Sequence, residues 1–155
     1  MLETRSATLK DASLIVAHRH AMFAAMGSGT SESLDEMSRS FEPWLLPRLA
    51  DGRYRGWITV DGARPVASAG LLILDWPPHA LHPSTSERGY ILNMFVELDY
   101  RRRGIARALV QRCIDEAHRL NIRVTSLHAS AEGRPVYESL GFGPSNEMQF
   151  IDKSF

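Results

Sequence analysis

Polar and apolar residues alternate weakly from Glu3 to Leu9, a period that predicts a short edge strand. The period then changes. Leu14, Ile15, His18, Ala21, Met22 and Ala25 recur at helical steps, with Asp11 as the expected N-cap and Gly27-Ser28-Gly29-Thr30-Ser31 as the stop. Leu34, Met37, Phe41, Trp44 and Leu45 mark a second helix, which Pro43 and Pro47 are expected to kink or divide. Tyr54 to Val60 and Pro65 to Leu74 read as two strands joined at Asp61-Gly62, a hairpin signal, with Gly70 as an expected bulge. Asp75 to Arg88 has no clear period and holds Pro77, Pro78 and Pro83. After it come a strand (Gly89 to Val96), an amphipathic helix to Leu120, and a break at Asn121. The pattern closes with a strand (Ile122 to Ala129), a helix around Tyr137 stopped by Gly141, and a last strand near Glu147 to Ile151. The hairpin is antiparallel, whereas a strand-helix-strand unit around Gly104 should be parallel and right-handed. The expected fold class is therefore α/β (α+β) with a mixed sheet, in one domain spanning residues 1–155.

The passage from strand to helix at Val96–Val110 organises the rest. The apolar run Tyr90-Ile91-Leu92-Asn93-Met94-Phe95-Val96 ends in a short polar link. A helix follows in which Ile105, Ala108, Leu109, Arg112, Cys113, Glu116, Ala117 and Leu120 form a mostly apolar stripe. Gly104 stands where that helix starts, among Arg101, Arg102, Arg103 and Arg107. A helix N-terminus presents unpaired N–H groups and partial positive charge, and a glycine there lets an anion approach the main chain. The stretch reads as a phosphate-gripping loop, with a solvated basic patch or a nucleic-acid contact as the competing readings.

The spacing Arg101-x-x-Gly104-x-Ala106 resembles the acetyl-CoA signature of the Gcn5-related N-acetyltransferases. Ser130 to Phe142, ending Tyr137-x-x-x-Gly141-Phe142, resembles the later motif of the same family, in the right order. The resemblance covers residues 90 to 150 directly; the N-terminal half matches only in its order of elements. It implies a mostly antiparallel sheet with one parallel, splayed strand pair flanked by helices. It further implies acetyl-CoA as cosubstrate, with its pantetheine arm lying in the wedge between the splayed strands. Met94, Phe95 and Val96 would then contact pantetheine, and Arg101, Arg102, Arg103, Gly104, Ile105, Ala106 and Arg107 the phosphates. Ser130 takes a position where many relatives carry an asparagine that touches the pantetheine arm, a departure that leaves a hydroxyl in its place.

The same resemblance puts Tyr137 in the position of the general acid. Ordinary pKa values of ~8.5 for a thiol and ~10 for a phenol make proton transfer from tyrosine to a departing thiolate uphill by only about 2 kcal/mol. A tyrosine that only packs its ring is the competing reading. A base is harder to find. Glu97 and His128 are candidates, and Asn93 is a polar contact that could orient the acceptor, with His128 able to share that role. The expected activity is direct acetyl transfer from acetyl-CoA to an amine of a small molecule or peptide. The alternative is an acyl-CoA-binding sensor or interaction module without turnover. The acceptor should enter near Gly27 to Ser33 and the Asp75–Arg88 loop, where Phe23, Trp44 and Trp76 are either an apolar wall or core.

Composition narrows the partners. Basic and acidic side chains balance at 18 each, which argues against general nucleic-acid or membrane-surface binding. The lone Cys113 permits no disulfide within the chain and sits on an apolar stripe, where free cysteine is usually core. His79 and His82 lack a third ligand nearby, so no metal is expected. Met1 to Met26 has no continuous apolar run of the signal-peptide kind, and no stretch approaches membrane-span length, so a cytoplasmic protein is expected. A homodimer is compatible with this pattern.

Overall fold

Five strands lie side by side in chain order in the computed structural model, which describes residues 1–155: β1 (Leu2–Ser6), β2 (Tyr54–Asp61), β3 (Arg64–Asp75), β4 (Glu87–Val96) and β5 (Thr125–Leu127). β1 to β4 are antiparallel, and β5 joins β4 in parallel, so the sheet is mixed as its turns imply. The β2–β3 turn is Gly62-Ala63, closed by the Asp61–Arg64 pair, with Gly62 at φ +59°. A positive φ at the first central residue is the glycine-requiring feature of such a tight turn.

Helix α1 (Ala12–Ala25) and α2 (Ser31–Asp51) cover one face of the sheet through Ile15, Phe41 and Leu45 against Tyr54 and Ile58. Helix α3 (Ile105–Arg119) covers the other, with Ile105, Leu109, Val110, Cys113 and Ala117 against Val66, Leu71 and Ile91. Its buried stripe is narrower than expected and rotated toward Val110. Ala108 and Arg112 face solvent, and Glu116 emerges to pair with Arg55 and Arg119 at 2.7 Å each. The short α4 (Arg134–Ser139) leans on α3 near the end of the chain.

Several expectations need correction. Helix α2 is not divided at Pro43 and Pro47; both prolines stand on its solvent face, where the carbonyls they leave unbonded can be hydrated. Asp11 does not cap α1 with its side chain. It caps the preceding turn instead, accepting from Thr8 N–H at 2.7 Å and from both ends of the Arg5 guanidinium at 2.8 and 2.9 Å. The expected strand at Ile122 to Ala129 shrinks to three residues. No strand forms at Glu147 to Ile151: that stretch makes no backbone–backbone hydrogen bond to any neighbour, and Met148 and Phe150 stay exposed.

The bulge lies on β4 rather than at Gly70. Ser68 pairs with Phe95 and Gly70 with Leu92, so Asn93 and Met94 together stand opposite Ala69. Asn93 takes φ +58°, the left-handed region that asparagine tolerates better than most residues. Before the bulge, Ile91 faces α3 and Leu92 faces α1. After it, Met94 and Val96 pack on the α3 side, while Phe95 meets the His18 ring of α1 at 4.8 Å. The extra residue thereby turns Asn93 toward α1. Gly70 has its own reason: a Cβ there would fall 2.2 Å from the Tyr54 hydroxyl oxygen.

Candidate active site

β4 and β5 pair only from Gly89 to Ile91, and past that point β4 has no strand beside it on that side. A cavity of about 880 Å³ opens into the gap. One wall is β4 from Tyr90 to Val96, and the other is Leu127 at the end of β5 and the link after it to Ser130, with Gly133, Val136 and Tyr137. The Arg101–Arg107 loop closes one end, and Met22 and Phe23 of α1, with Met26 just past its end, line the other.

The loop is built to hold its own backbone open. Gly104 is the N-cap of α3 at φ +78°, and Arg102 adopts φ +62°. Left-handed residues at this spacing curl successive N–H groups around a concavity. The N–H groups from Arg102 to Arg107 find no acceptor in the protein, and a Cβ on Gly104 would project into open space. This is a row of donors at the positive end of a 15-residue helix, a natural seat for phosphate oxygens. The arginine side chains divide the work. Arg101 donates through Nε to the carbonyl of Val96 at 3.0 Å, tying the loop to β4. Arg107 donates to the Ser139 hydroxyl and so reaches α4. Arg102 makes no hydrogen bond or ion pair and is exposed on the rim. The guanidinium of Arg103 turns away, onto the carbonyl of Asp99 and the face of Tyr100, and does not line the cavity.

Tyr137 is positioned by the way its helix ends. Phe142 N–H bonds back to the carbonyl of Tyr137 and Gly141 N–H to that of Glu138, with Gly141 at φ +97°. This is a Schellman closure, and its usual apolar contact is the Phe142 ring packed edge-on against Tyr137, 6.0 Å between centroids. The Tyr-x-x-x-Gly-Phe spacing is therefore the spacing that fixes this ring. Burial pushes the phenol above its ordinary 10, so it carries its proton at any physiological pH. Ser130 accepts from Gly133 N–H at 3.1 Å at the entry to α4, which leaves its hydroxyl hydrogen free for the cavity. His128 lines the same wall, its ring 5.6 Å from that of Tyr90.

Asn93 sits in a buried chain of polar groups. Its amide donates to the Tyr54 hydroxyl at 2.9 Å, and its carbonyl oxygen accepts from Arg19 at 2.6 Å. Arg19 lines the cavity with its guanidinium carbon 5.0 Å from the Phe23 ring centroid and 4.8 Å from that of Phe41.

Of the expected residues, Met94, Phe95, Val96, Arg101, Arg102, Gly104, Ile105, Ala106, Arg107, Ser130, Tyr137, Asn93 and His128 all border this one cavity. Glu97 does not; burial pushes the His18 imidazole below its ordinary range, the Glu97 charge opposing this only in part, and His18 Nδ1 lies 2.7 Å from the Ser68 hydroxyl. Trp44 and Trp76 are also outside it, each beneath an arginine, Arg48 and Arg88 respectively. Gly27 to Ser33 and the Asp75–Arg88 loop do not border it either. His79 and His82 hold their own loop together: His79 Nδ1 accepts from Leu81 N–H, and His82 Nε2 accepts from Arg88. Cys113 is core, with its thiol pushed up to about 12 by burial. The pattern reading passes over Arg19, Tyr90 and Gln149, all of which line the cavity. For Arg19 a signal exists, since a charge four residues after Ile15 and three before Met22 interrupts an apolar stripe.

Known proteins give the same outline. The family model described as "Acetyltransferase (GNAT) family" matches residues 19–142. A GCN5-related N-acetyltransferase structure from Ralstonia eutropha JMP134 is 41% identical, with 98% of this chain and 99% of that one aligned at a TM-score of 0.92. A predicted acetyltransferase from Clostridium acetobutylicum, solved with acetyl-CoA, is 30% identical over 98% of this chain and 96% of that one, TM-score 0.90. No curated protein matches the sequence.

Proposed function

The chain belongs to the GCN5-related N-acetyltransferase family, and on that premise we propose that it transfers an acetyl group directly from acetyl-CoA to an amine. One observation carries the reading. A single cavity runs from six acceptor-less N–H groups at Arg102–Arg107, along the unpaired side of β4, to the Tyr137 ring. That row, with Arg101, Arg102 and Arg107, would hold phosphates, and the backbone of Met94 to Val96 would pair with the pantetheine amides as a strand would. Acetyl-CoA supplies a thioester whose acetyl carbon bonds to the amine nitrogen as its carbon–sulfur bond breaks.

Tyr137 gives its phenolic proton to the departing sulfur. Burial raises the phenol, and the same desolvation disfavours the thiolate that receives the proton, so burial alone does not oppose the transfer. The amine must shed a proton. His128 is the imidazole that borders the cavity and takes this role, whereas Glu97, outside the lining, is assigned no proton-transfer step. Cys113 is too deeply buried and too weakly acidic to serve as an acyl carrier, which favours transfer without a covalent enzyme intermediate.

Calorimetry of CoA binding and thiol release from acetyl-CoA across a panel of amines test the reading. Tyr137→Phe should lower turnover by about a hundredfold or more while costing far less in CoA affinity. CoA binding without release from any amine would favour a sensor, and no CoA binding would defeat the proposal.

A further inference from the structure

Arg19 carries a charge that nothing in the protein neutralises. No carboxylate comes within 4 Å of it, although Arg5, Arg53, Arg55, Arg64 and Arg119 all have one. One terminal nitrogen donates to Asn93, and Nε is closed off from solvent without any acceptor. The guanidinium is flanked by the rings of Phe23 and Phe41, so it is held in one place rather than waving in water. Burial disfavours the positive charge it must carry. An arginine held this way, half-buried and short of acceptors, is poorly explained as a brace: a neutral side chain could hold Asn93 without the desolvation cost.

Its position gives the charge a use. Asn93 lies three residues before Val96, the point where Arg101 fastens the phosphate loop, so Arg19 is bonded to β4 at a point separate from that loop. The phosphates of CoA are already provided for at the loop. Arg19 touches Asn93 and Phe23, and the same cavity is lined by Met22, Tyr90 and His128, the last two with rings 5.6 Å apart. This is the half of the cavity left for the acceptor.

We propose that Arg19 binds an anionic group of the acceptor, so that the substrate is a small amine that also bears a carboxylate or a phosphate. The inference rests on the acetyl-transfer reading and adds the class of acceptor to it. The guanidinium edge not used by Asn93 offers the planar fork that carboxylates and phosphates match. With the anion fixed there, the amine is held inside the cavity that Tyr137 and His128 also line.

Matched pairs of amines test it: amino acids against the amines that remain when the carboxyl group is removed, and phosphoethanolamine against ethanolamine. In one pair series or the other, the anionic member should show a KM at least about tenfold lower than its neutral partner. The series that shows it separates carboxylate from phosphate. In Arg19→Gln, which removes the charge and the reach to Asn93, that ratio should fall toward one through the KM of the anionic member. Arg19→Lys, with the charge but not the fork, should recover part of it. A merely structural role would raise the KM of neutral and anionic members alike and leave their ratio unchanged. CoA bound with no anionic amine acetylated, neutral members preferred, or a ratio unchanged by Arg19→Gln would overturn the proposal. Absence of CoA binding by the unaltered protein would instead defeat the transfer reading beneath it.

Discussion

Replacing Gly70 by alanine would put a methyl carbon 2.2 Å from the Tyr54 hydroxyl oxygen and 2.3 Å from Cζ. Neither atom can step aside easily, because Tyr54 is 2% exposed and its hydroxyl is fastened to Asn93 at 2.9 Å. In an open strand the same change would stabilise by about 0.5–1 kcal/mol through backbone entropy. Here the ring must shift. Overpacking costs about 1–3 kcal/mol, and breaking the buried Asn93 bond adds about 1 kcal/mol more. The net loss, less that entropic gain, should be about 1–3.5 kcal/mol, which for a chain of this length lowers the melting temperature by roughly 2–14 °C. Urea denaturation measures it directly. The decisive comparison is a double-mutant cycle with Tyr54→Leu, whose shorter side chain vacates the space. In that background Gly70→Ala should cost almost nothing, giving a coupling energy near the whole single-mutant loss. An equal loss in both backgrounds, or no loss in either, would refute the steric argument.

Two further outcomes follow from named contacts. The Arg5 guanidinium beside Asp11 holds its carboxyl at about 2, below the ordinary 3.8. A depressed folded pKa stabilises above the unfolded value, and the contribution fades as pH falls through 3.8 toward 2. With Arg5 half-exposed and screened by solvent, Asp11→Asn should cost about 1–2 kcal/mol near pH 7 and progressively less below pH 4, read by thermal melts across pH; a pH-independent gap would count against the ion pair. Gly104 and Gly62 both have positive φ and open space where a Cβ would go. Alanine at either should cost about 1–2 kcal/mol of stability, yet only Gly104→Ala should weaken CoA binding in calorimetry, since only that methyl enters the loop concavity. Equal affinity in both variants would show that the loop does not seat the phosphates.

Much of the site was legible because its chemistry rests on local backbone. Gly104 and Gly141 are glycines whose positive φ the main chain requires, and their spacings to Arg101 and Tyr137 survive as motifs. The phase of β4 was not legible. Tyr90 to Val96 is apolar on both faces, so no alternation records that Asn93 has been turned to α1. The expected strand at Glu147–Ile151 had the composition of a strand without a partner to pair with. Glu97 looked available at a strand end, but which side of the sheet it meets is set by tertiary packing. Arg19 belongs to a helix whose sequence partners say nothing of Asn93, 74 residues later.

From Leu92 to Val96, β4 is an edge strand in the middle of a molecule. A ligand that lies along it binds the folded chain and not the unfolded one, and at a hundredfold excess over its Kd adds about 2.7 kcal/mol to stability. That is a large fraction of what holds a domain of this size together. The consequence reaches past catalysis to turnover: cellular proteases act on opened chains, so the steady-state amount of this protein would rise and fall with the supply of the molecule that closes its seam.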